Sequence, residues 1–178
     1  GLMISRDLYE GIRLARPQAV AGIEAIIKPL EQEGILVKRG RAGIEKAIDQ
    51  YIVVERDGMI ISCLSLSIMA DNPSWGELGC FAVHPDYRKL GKGDAMLGFC
   101  ERFALKKGVS RLFILSTVTF QWFLERGFVE VPIEDLPPSR QARYNKCRKS
   151  KIYVKLLEGS RAIDEAEVLK SVRPVQLE

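Results

Sequence analysis

The chain has 178 residues, of which 47% are hydrophobic and 28% charged. That is the composition of one ordinary globular domain, not of a disordered, collagenous or coiled-coil chain. There is no continuous apolar run of the roughly 18 residues a membrane helix needs, and Gly1-Leu2-Met3-Ile4 is not a cationic start followed by a long apolar stretch, so no signal peptide is predicted. The net charge of +4 is uneven. Arg140, Arg143, Lys146, Arg148, Lys149 and Lys151 stand together without an acid among them, and the remaining chain sums to −2. The charge pattern is therefore that of a near-neutral domain with one basic patch.

In chain order, residues 11–15 alternate and read as a short strand. Pro17 suits the first turn of a helix, and Val20, Ile23, Ile26, Ile27 and Leu30 continue it at helical spacing until Gly34. Residues 36–39 read as a loop and 44–48 as a second short helix. Residues 51–55 form a strand, Arg56-Asp57-Gly58 a hairpin turn, and 59–69 a long strand. A turn over 71–74 leads to a strand over 75–83. After a break come a helix carrying Met96, Leu97, Cys100, Phe103 and Ala104 on one face, and then a strand over 111–115. Thr119 caps a short helix that Gly127 stops. The last strands are 128–131 and 152–157, separated by a loop with at most one helical turn. The tail over 159–178 is polar, with a loosely attached helix as one option. This order predicts an α/β (α+β) domain over 1–158 with a mixed, mostly antiparallel twisted sheet and helices on both faces.

Chemistry-bearing residues are few. Cys63, Cys80, Cys100 and Cys147 form no C-x-x-C pair and His84 is the single histidine, so no metal site is expected and reduced, intracellular thiols are. Cys80 reads as a buried small hydrophobe, His84 as a turn residue, and Trp122, Phe123 and Phe128 as core.

The richest segment joins the strand ending Phe81-Ala82-Val83 to a helix through His84-Pro85-Asp86-Tyr87-Arg88-Lys89-Leu90-Gly91-Lys92-Gly93-Asp94. Two glycines let backbone amides approach a ligand, the helix start adds partial positive charge, and Arg88, Lys89 and Lys92 add full charges. Together they suit a pyrophosphate. A P-loop is excluded because Asp94 follows Gly93 where Lys and Ser/Thr are needed, and a dinucleotide fingerprint is excluded by Met96 at its third glycine. Arg88-x-x-Gly91-x-Gly93 instead resembles the R/Q-x-x-G-x-G/A signature of the GNAT acetyltransferases, and the Val83-His84-Pro85 lead-in matches as well.

The resemblance implies the GNAT fold, acetyl-CoA as co-substrate, and a cofactor site built from Phe81, Ala82, Val83, Arg88, Lys89, Leu90, Gly91, Lys92, Gly93 and Asp94. It also implies that the strand over 75–83 splays from the strand over 111–115 to admit the pantetheine arm. Four stretches are similar to the acetyltransferase domain of the N-acetylglutamate synthase family: residues 29–39, 76–88, 122–128 and 136–151. The last, Leu136-Pro137-Pro138-Ser139 with Tyr144-Asn145-Lys146-Cys147-Arg148-Lys149-Ser150-Lys151, is the most specific. This similarity implies transfer of acetyl to the α-amino group of L-glutamate, the first step of arginine biosynthesis.

A dicarboxylate acceptor fits the basic patch, since two carboxylates call for guanidinium or ammonium donors. By resemblance, Arg148 and Ser150 hold one carboxylate with Lys38 helping. Lys38 stands where the family usually has arginine and lacks its bidentate fork, so either Lys38 or its neighbour Arg39 could make this contact. Backbone groups of Leu36 and Cys80 complete the pocket. Glu77 is the expected base, the Val83 amide the oxyanion donor by family analogy, and Ser116 the expected acid, with Tyr144 as the alternative.

Rival readings are a GNAT enzyme for another small amine or amino acid, a non-catalytic acetyl-CoA-sensing domain and a nucleic-acid-binding module. The patch has only Tyr144 as an aromatic and no nucleic-acid-binding motif, so no nucleic-acid partner is expected, and no membrane partner either. A homodimer, or association with an amino-acid-kinase-like regulatory domain, stays open. The expected compartment is intracellular: cytoplasmic in a bacterium, plastid or mitochondrial in a eukaryote.

Overall fold

The computed structural model describes residues 11–90, 92–118 and 121–157. The polar tail, the capping role of Thr119, and the Gly91 backbone fall outside the described residues, as do the side chains of Lys89 and Leu90.

The elements are β1 (Ile12–Leu14), α1 (Val20–Gln32), α2 (Gly40–Lys46), β2 (Tyr51–Arg56), β3 (Met59–Ile68), β4 (Trp75–Val83), α3 (Lys92–Lys106), β5 (Arg111–Ser116), α4 (Gln121–Glu125), β6 (Val129–Val131), α5 (Pro138–Ala142) and β7 (Lys151–Leu156). One seven-stranded sheet runs β1-β2-β3-β4-β5-β7-β6. All neighbours are antiparallel except β4 and β5. A parallel pair needs a crossover, and α3 supplies it. The β2–β3 hairpin turns through Asp57 and Gly58, whose φ values of 52° and 79° are both positive, as a type I′ turn requires. The second helix starts earlier than its apolar residues indicate, at Gly40, and a 3₁₀ turn over Ile48–Gln50 follows it. Only Ile44 of α2 is buried, so its polar first turn carries no apolar period to read.

Strand β2 explains the layering. Tyr51, Ile52, Val53 and Val54 are at most 2% exposed. Ile52 and Val54 pack with Leu64, Leu78 and the α3 residues Met96, Leu97 and Cys100. Tyr51 and Val53 pack on the opposite face with Ile23, Ile26 and Ile27 of α1 and with Cys63 and Cys80. Helices therefore cover both faces, as alternation in a doubly buried strand demands. A third cluster, Met69, Phe113, Leu136 and Ile152, lies under the loop that follows β6.

Candidate active site

Strands β4 and β5 pair only at Trp75–Arg111, Gly76–Leu112 and Glu77–Phe113. Beyond Glu77 they separate, because β4 kinks. Its partners in β3 run Cys63–Ala82 and then Ser65–Gly79, so Leu64 alone faces both Cys80 and Phe81. This is a bulge, and Cys80 sits in it at φ 51°, a left-handed conformation that costs a side chain about 1–2 kcal/mol. The bulge also reverses the sides. Leu78 joins the cluster under α3, whereas Cys80 and Ala82 join the cluster under α1.

The His84 amide donates to the Ile61 carbonyl at 2.7 Å. Antiparallel alternation then turns the Val83 N–H away from β3 and into the gap.

Two cavities open from this break. The first, about 360 Å³, lies in the gap and is lined by Phe81, Val83, Tyr87, Arg88, Lys92, Gly93, Ser116 and Trp122 among others. Its mouth carries Arg88, Lys92 and the first turn of α3. Gly93 packs closely there: a β-carbon on it would stand 3.3 Å from Cζ2 of Trp122. Trp122 meets Phe81 edge to face at 5.6 Å, and the Arg126 guanidinium lies 3.9 Å over the Trp122 ring.

Asp94 lines this cleft as well. Its carboxylate takes a two-pronged bond from Arg126, through Nε to Oδ1 and through Nη2 to Oδ2, the second at 2.9 Å. The pair ties the start of α3 to α4. Hydrogen bonding from Arg126 holds the Asp94 carboxyl below the ordinary carboxylate range. A lowered folded-state pKa gives stability that is present above the unfolded value, about 3.9, and is lost as pH falls through the folded one. Asp94→Asn should therefore melt lower than wild type at pH 7, with the gap closing below about pH 4. Thermal melts across that range check this, and a pH-independent gap would refute it.

The second cavity, about 430 Å³, lies on the α1 face and shares Ile35, Leu36, Gly79, Cys80 and Leu115 with the first. Its walls carry one acid, Glu77, and the arginines Arg39, Arg140, Arg143 and Arg148. Sequence reasoning pointed to Glu77 but not to its partner. Arg140 grips it with Nε at 2.7 Å and Nη2 at 3.2 Å, both side chains being largely buried. Helix α5 is too short to show a period, but the acid-free basic run was the signal that could have located Arg140 and Arg143.

Of the neighbours Lys38 and Arg39, only Arg39 enters this cavity. Lys38 lines a separate depression beside Glu24, Lys28 and Glu31. The correction has a simple cause. The Arg39 amide is held by the Glu31 carboxylate at 2.8 Å, and the Arg39 side chain lies over Gly79. A β-carbon on Gly79 would stand 3.3 Å from both Nη2 of Arg39 and Oγ of Ser65. Arg148 lines the cavity, but its Nη2 also donates to the carbonyls of Gly34 and Ile35, at 3.2 and 3.3 Å, and so fastens the loop after α1. Ser150 and Leu36 line the cavity as expected.

The two candidate acids separate cleanly. Ser116 borders the first cleft, with its Oγ donating to the Val118 carbonyl at 2.8 Å. Tyr144 lies in the other cavity and donates its hydroxyl to the Ser150 carbonyl at 2.7 Å. Cys80 is buried, and burial, the largest influence, raises its thiol pKa above the ordinary value, as expected of a packing residue and not of a nucleophile. His84 accepts from the Asp86 amide at 3.1 Å, a turn role.

The chain was compared with known proteins. Residues 22–128 match the model of the acetyltransferase (GNAT) family. A curated amino-acid acetyltransferase of Pasteurella multocida is 42% identical over 161 residues, 90% of this chain and 36% of that protein. One from Pseudomonas putida is 46% identical over 157 residues, again 36% of its length. The chain thus spans about a third of these relatives. Among solved structures, N-acetylglutamate synthase from Neisseria gonorrhoeae, complexed with coenzyme A and N-acetyl-glutamate, superposes with a TM-score of 0.78 at 38% identity. The match covers 83% of this chain and 35% of that one.

Proposed function

The chain belongs to the acetyltransferase (GNAT) family, and from that premise we propose that it moves the acetyl group of acetyl-CoA to the α-amino group of L-glutamate, the reaction that opens arginine biosynthesis. The observation that carries this reading is the junction of the two cavities: a cleft with cations at its mouth runs into a chamber holding four arginines and one glutamate.

The residues of the cleft fit acetyl-CoA. Arg88, Lys92 and the amides opening α3 suit a pyrophosphate. The unpaired edge of β4 suits the amides of an extended pantetheine arm, which would add as a strand does. When bound, acetyl-CoA supplies a thioester carbonyl as the electrophile.

The chain's own groups do the rest. The acceptor's ammonium must lose a proton before its nitrogen can attack, and Glu77 takes that proton, directly or through a water. The Val83 N–H, turned into the gap, donates to the oxygen on which negative charge develops. Ser116, on the cleft side, donates to the departing sulfur once its hydroxyl turns from the Val118 carbonyl. The carbon–sulfur bond breaks as the carbon–nitrogen bond forms, and no acyl-enzyme is needed. Arg148 and Ser150 hold one carboxylate of glutamate, with Arg39 in the supporting role first given to Lys38. Arg148 uses one nitrogen on the loop carbonyls and keeps other donors for the ligand.

A thiol-release assay with acetyl-CoA and each of the twenty amino acids tests this. Release that depends on L-glutamate is expected. Release with another acceptor and none with glutamate would refute the substrate assignment. Arg148→Ala should raise the KM for glutamate by about ten- to a hundred-fold and leave that for acetyl-CoA nearly unchanged. Equal losses for both would mean that the loop at Gly34 and Ile35, and not the carboxylate, is what Arg148 serves.

A further inference from the structure

Four arginines line the acceptor cavity, and three are already engaged or held against protein atoms. Arg140 spends Nε and Nη2 on Glu77. Arg148 is fastened to two carbonyls. Arg39 lies over Gly79 and shares a side-chain hydrogen bond with Tyr51. Arg143 differs. It is exposed and lines the cavity, and its Nη2 rests 3.9 Å from the Met69 sulfur, a weak acceptor. Among the described residues it forms no ion pair within 4.0 Å.

The acid that senses it, Asp71, is occupied elsewhere. The two oxygens of Asp71 accept from Ser139, from Oγ at 2.6 Å and from the amide at 2.9 Å, and these bonds outweigh the influence of Arg143 on its carboxyl.

The base from which Arg143 projects is nevertheless firm. It follows α5, which is pinned at its start by the Ser139–Asp71 bonds and midway by the Arg140–Glu77 pair. The Arg143 amide donates to the Arg140 carbonyl at 3.1 Å, and the next residue, Tyr144, is held by its hydroxyl on Ser150. A guanidinium on a fixed base, facing a cavity and without a carboxylate of its own, is a site for one supplied by a ligand.

We propose that Arg143 is a specificity-determining residue that receives the side-chain carboxylate of the acceptor and so sets the preference for a dicarboxylic amino acid over its neutral counterpart. This rests on the glutamate reading above. It assigns the second carboxylate, as Arg148 and Ser150 are assigned the first.

The test compares L-glutamate with L-glutamine, which has nearly the same shape but no side-chain charge, in wild type, Arg143→Gln and Arg143→Lys. Steady-state acetylation is measured, together with calorimetric binding of each acceptor in the presence of coenzyme A. Arg143→Gln should raise the glutamate KM by about ten- to a hundred-fold and shift the glutamine and acetyl-CoA KM values by no more than about twofold. Arg143→Lys should recover part of the preference, since it keeps the charge but not the fork. A glutamate-to-glutamine ratio unchanged in Arg143→Gln, in both turnover and binding, would overturn the assignment while leaving the glutamate reading intact. A wild-type chain that neither binds nor acetylates glutamate would overturn that reading, and this assignment with it.

Discussion

Glu77→Gln should lower kcat by about 10²–10⁴-fold at neutral pH, with little change in the KM for acetyl-CoA. The substitution keeps the shape of the side chain and removes its ability to take a proton. Activity should partly return at pH values above the pKa of the acceptor's own amine, where free base forms without help. The pair with Arg140 sharpens the expectation. Glutamine cannot balance a largely buried guanidinium, so thermal stability should fall as well. If Glu77 served only to neutralise Arg140, Glu77→Gln would melt lower but keep its kcat and its pH–rate profile. That outcome would remove Glu77 as the base.

Phe113→Ala should cost about 3–5 kcal/mol of stability. Phe113 is fully buried, packs with Met69, Leu136 and Ile152, and meets Trp75 edge to face at 5.9 Å. It also stands opposite Glu77 in the last paired rung before β4 and β5 part. Losing the ring removes contacts from one edge of the splay as well as from the core. For a domain of this size the cost corresponds to a fall in Tm of roughly 6–20 °C. Urea titration measures the effect directly. A loss below about 1 kcal/mol would mean that the cluster under the loop after β6 collapses to fill the space.

Stability and chemistry thus meet at the same few residues. The rung that ends the parallel pairing carries the proposed base on one strand and a core ring on the other. Strain is stored at Cys80, close by, where a left-handed residue persists because the sheet on either side is paired.

Much of the fold was legible in the sequence. Period-two alternation and the Asp57-Gly58 turn placed β2 and β3. Helical spacing from Val20 to Leu30 placed α1, and the turn residues bounded β4 correctly. These signals are local, and local propensity and patterning agree with the final structure along each of these segments. The same locality made the Arg88-x-x-Gly91-x-Gly93 segment readable, because strand, loop and helix start are contiguous in the chain. Segments with few buried residues read poorly. The start of α2 has no apolar period, and in the Pro132–Ser150 region a loop with one helical turn is all the sequence indicates, where the structure has a 3₁₀ turn and the five-residue α5.

The sides of β4 could not be read at all. Simple alternation puts Leu78, Cys80 and Ala82 on one face, yet the bulge at Cys80 divides them between two cores. A bulge is set by pairing with another strand, not by the residues of its own.

The sequence by itself therefore determined the order of the main elements, the buried faces of α1 and α3, the strand–loop–helix segment that resembles the family signature and the existence of a basic patch. Only the tertiary structure decided where the residues of that patch go. It brought Arg140 to Glu77 across 63 positions of chain and Arg148 to Gly34 across 114. It chose Arg39 over Lys38, kept Ser116 on the cleft side and Tyr144 on the other, and left Arg143 facing the cavity. Partners so far apart in the chain are set by how the sheet and helices close around one another, and a residue's own neighbours carry no trace of that closure.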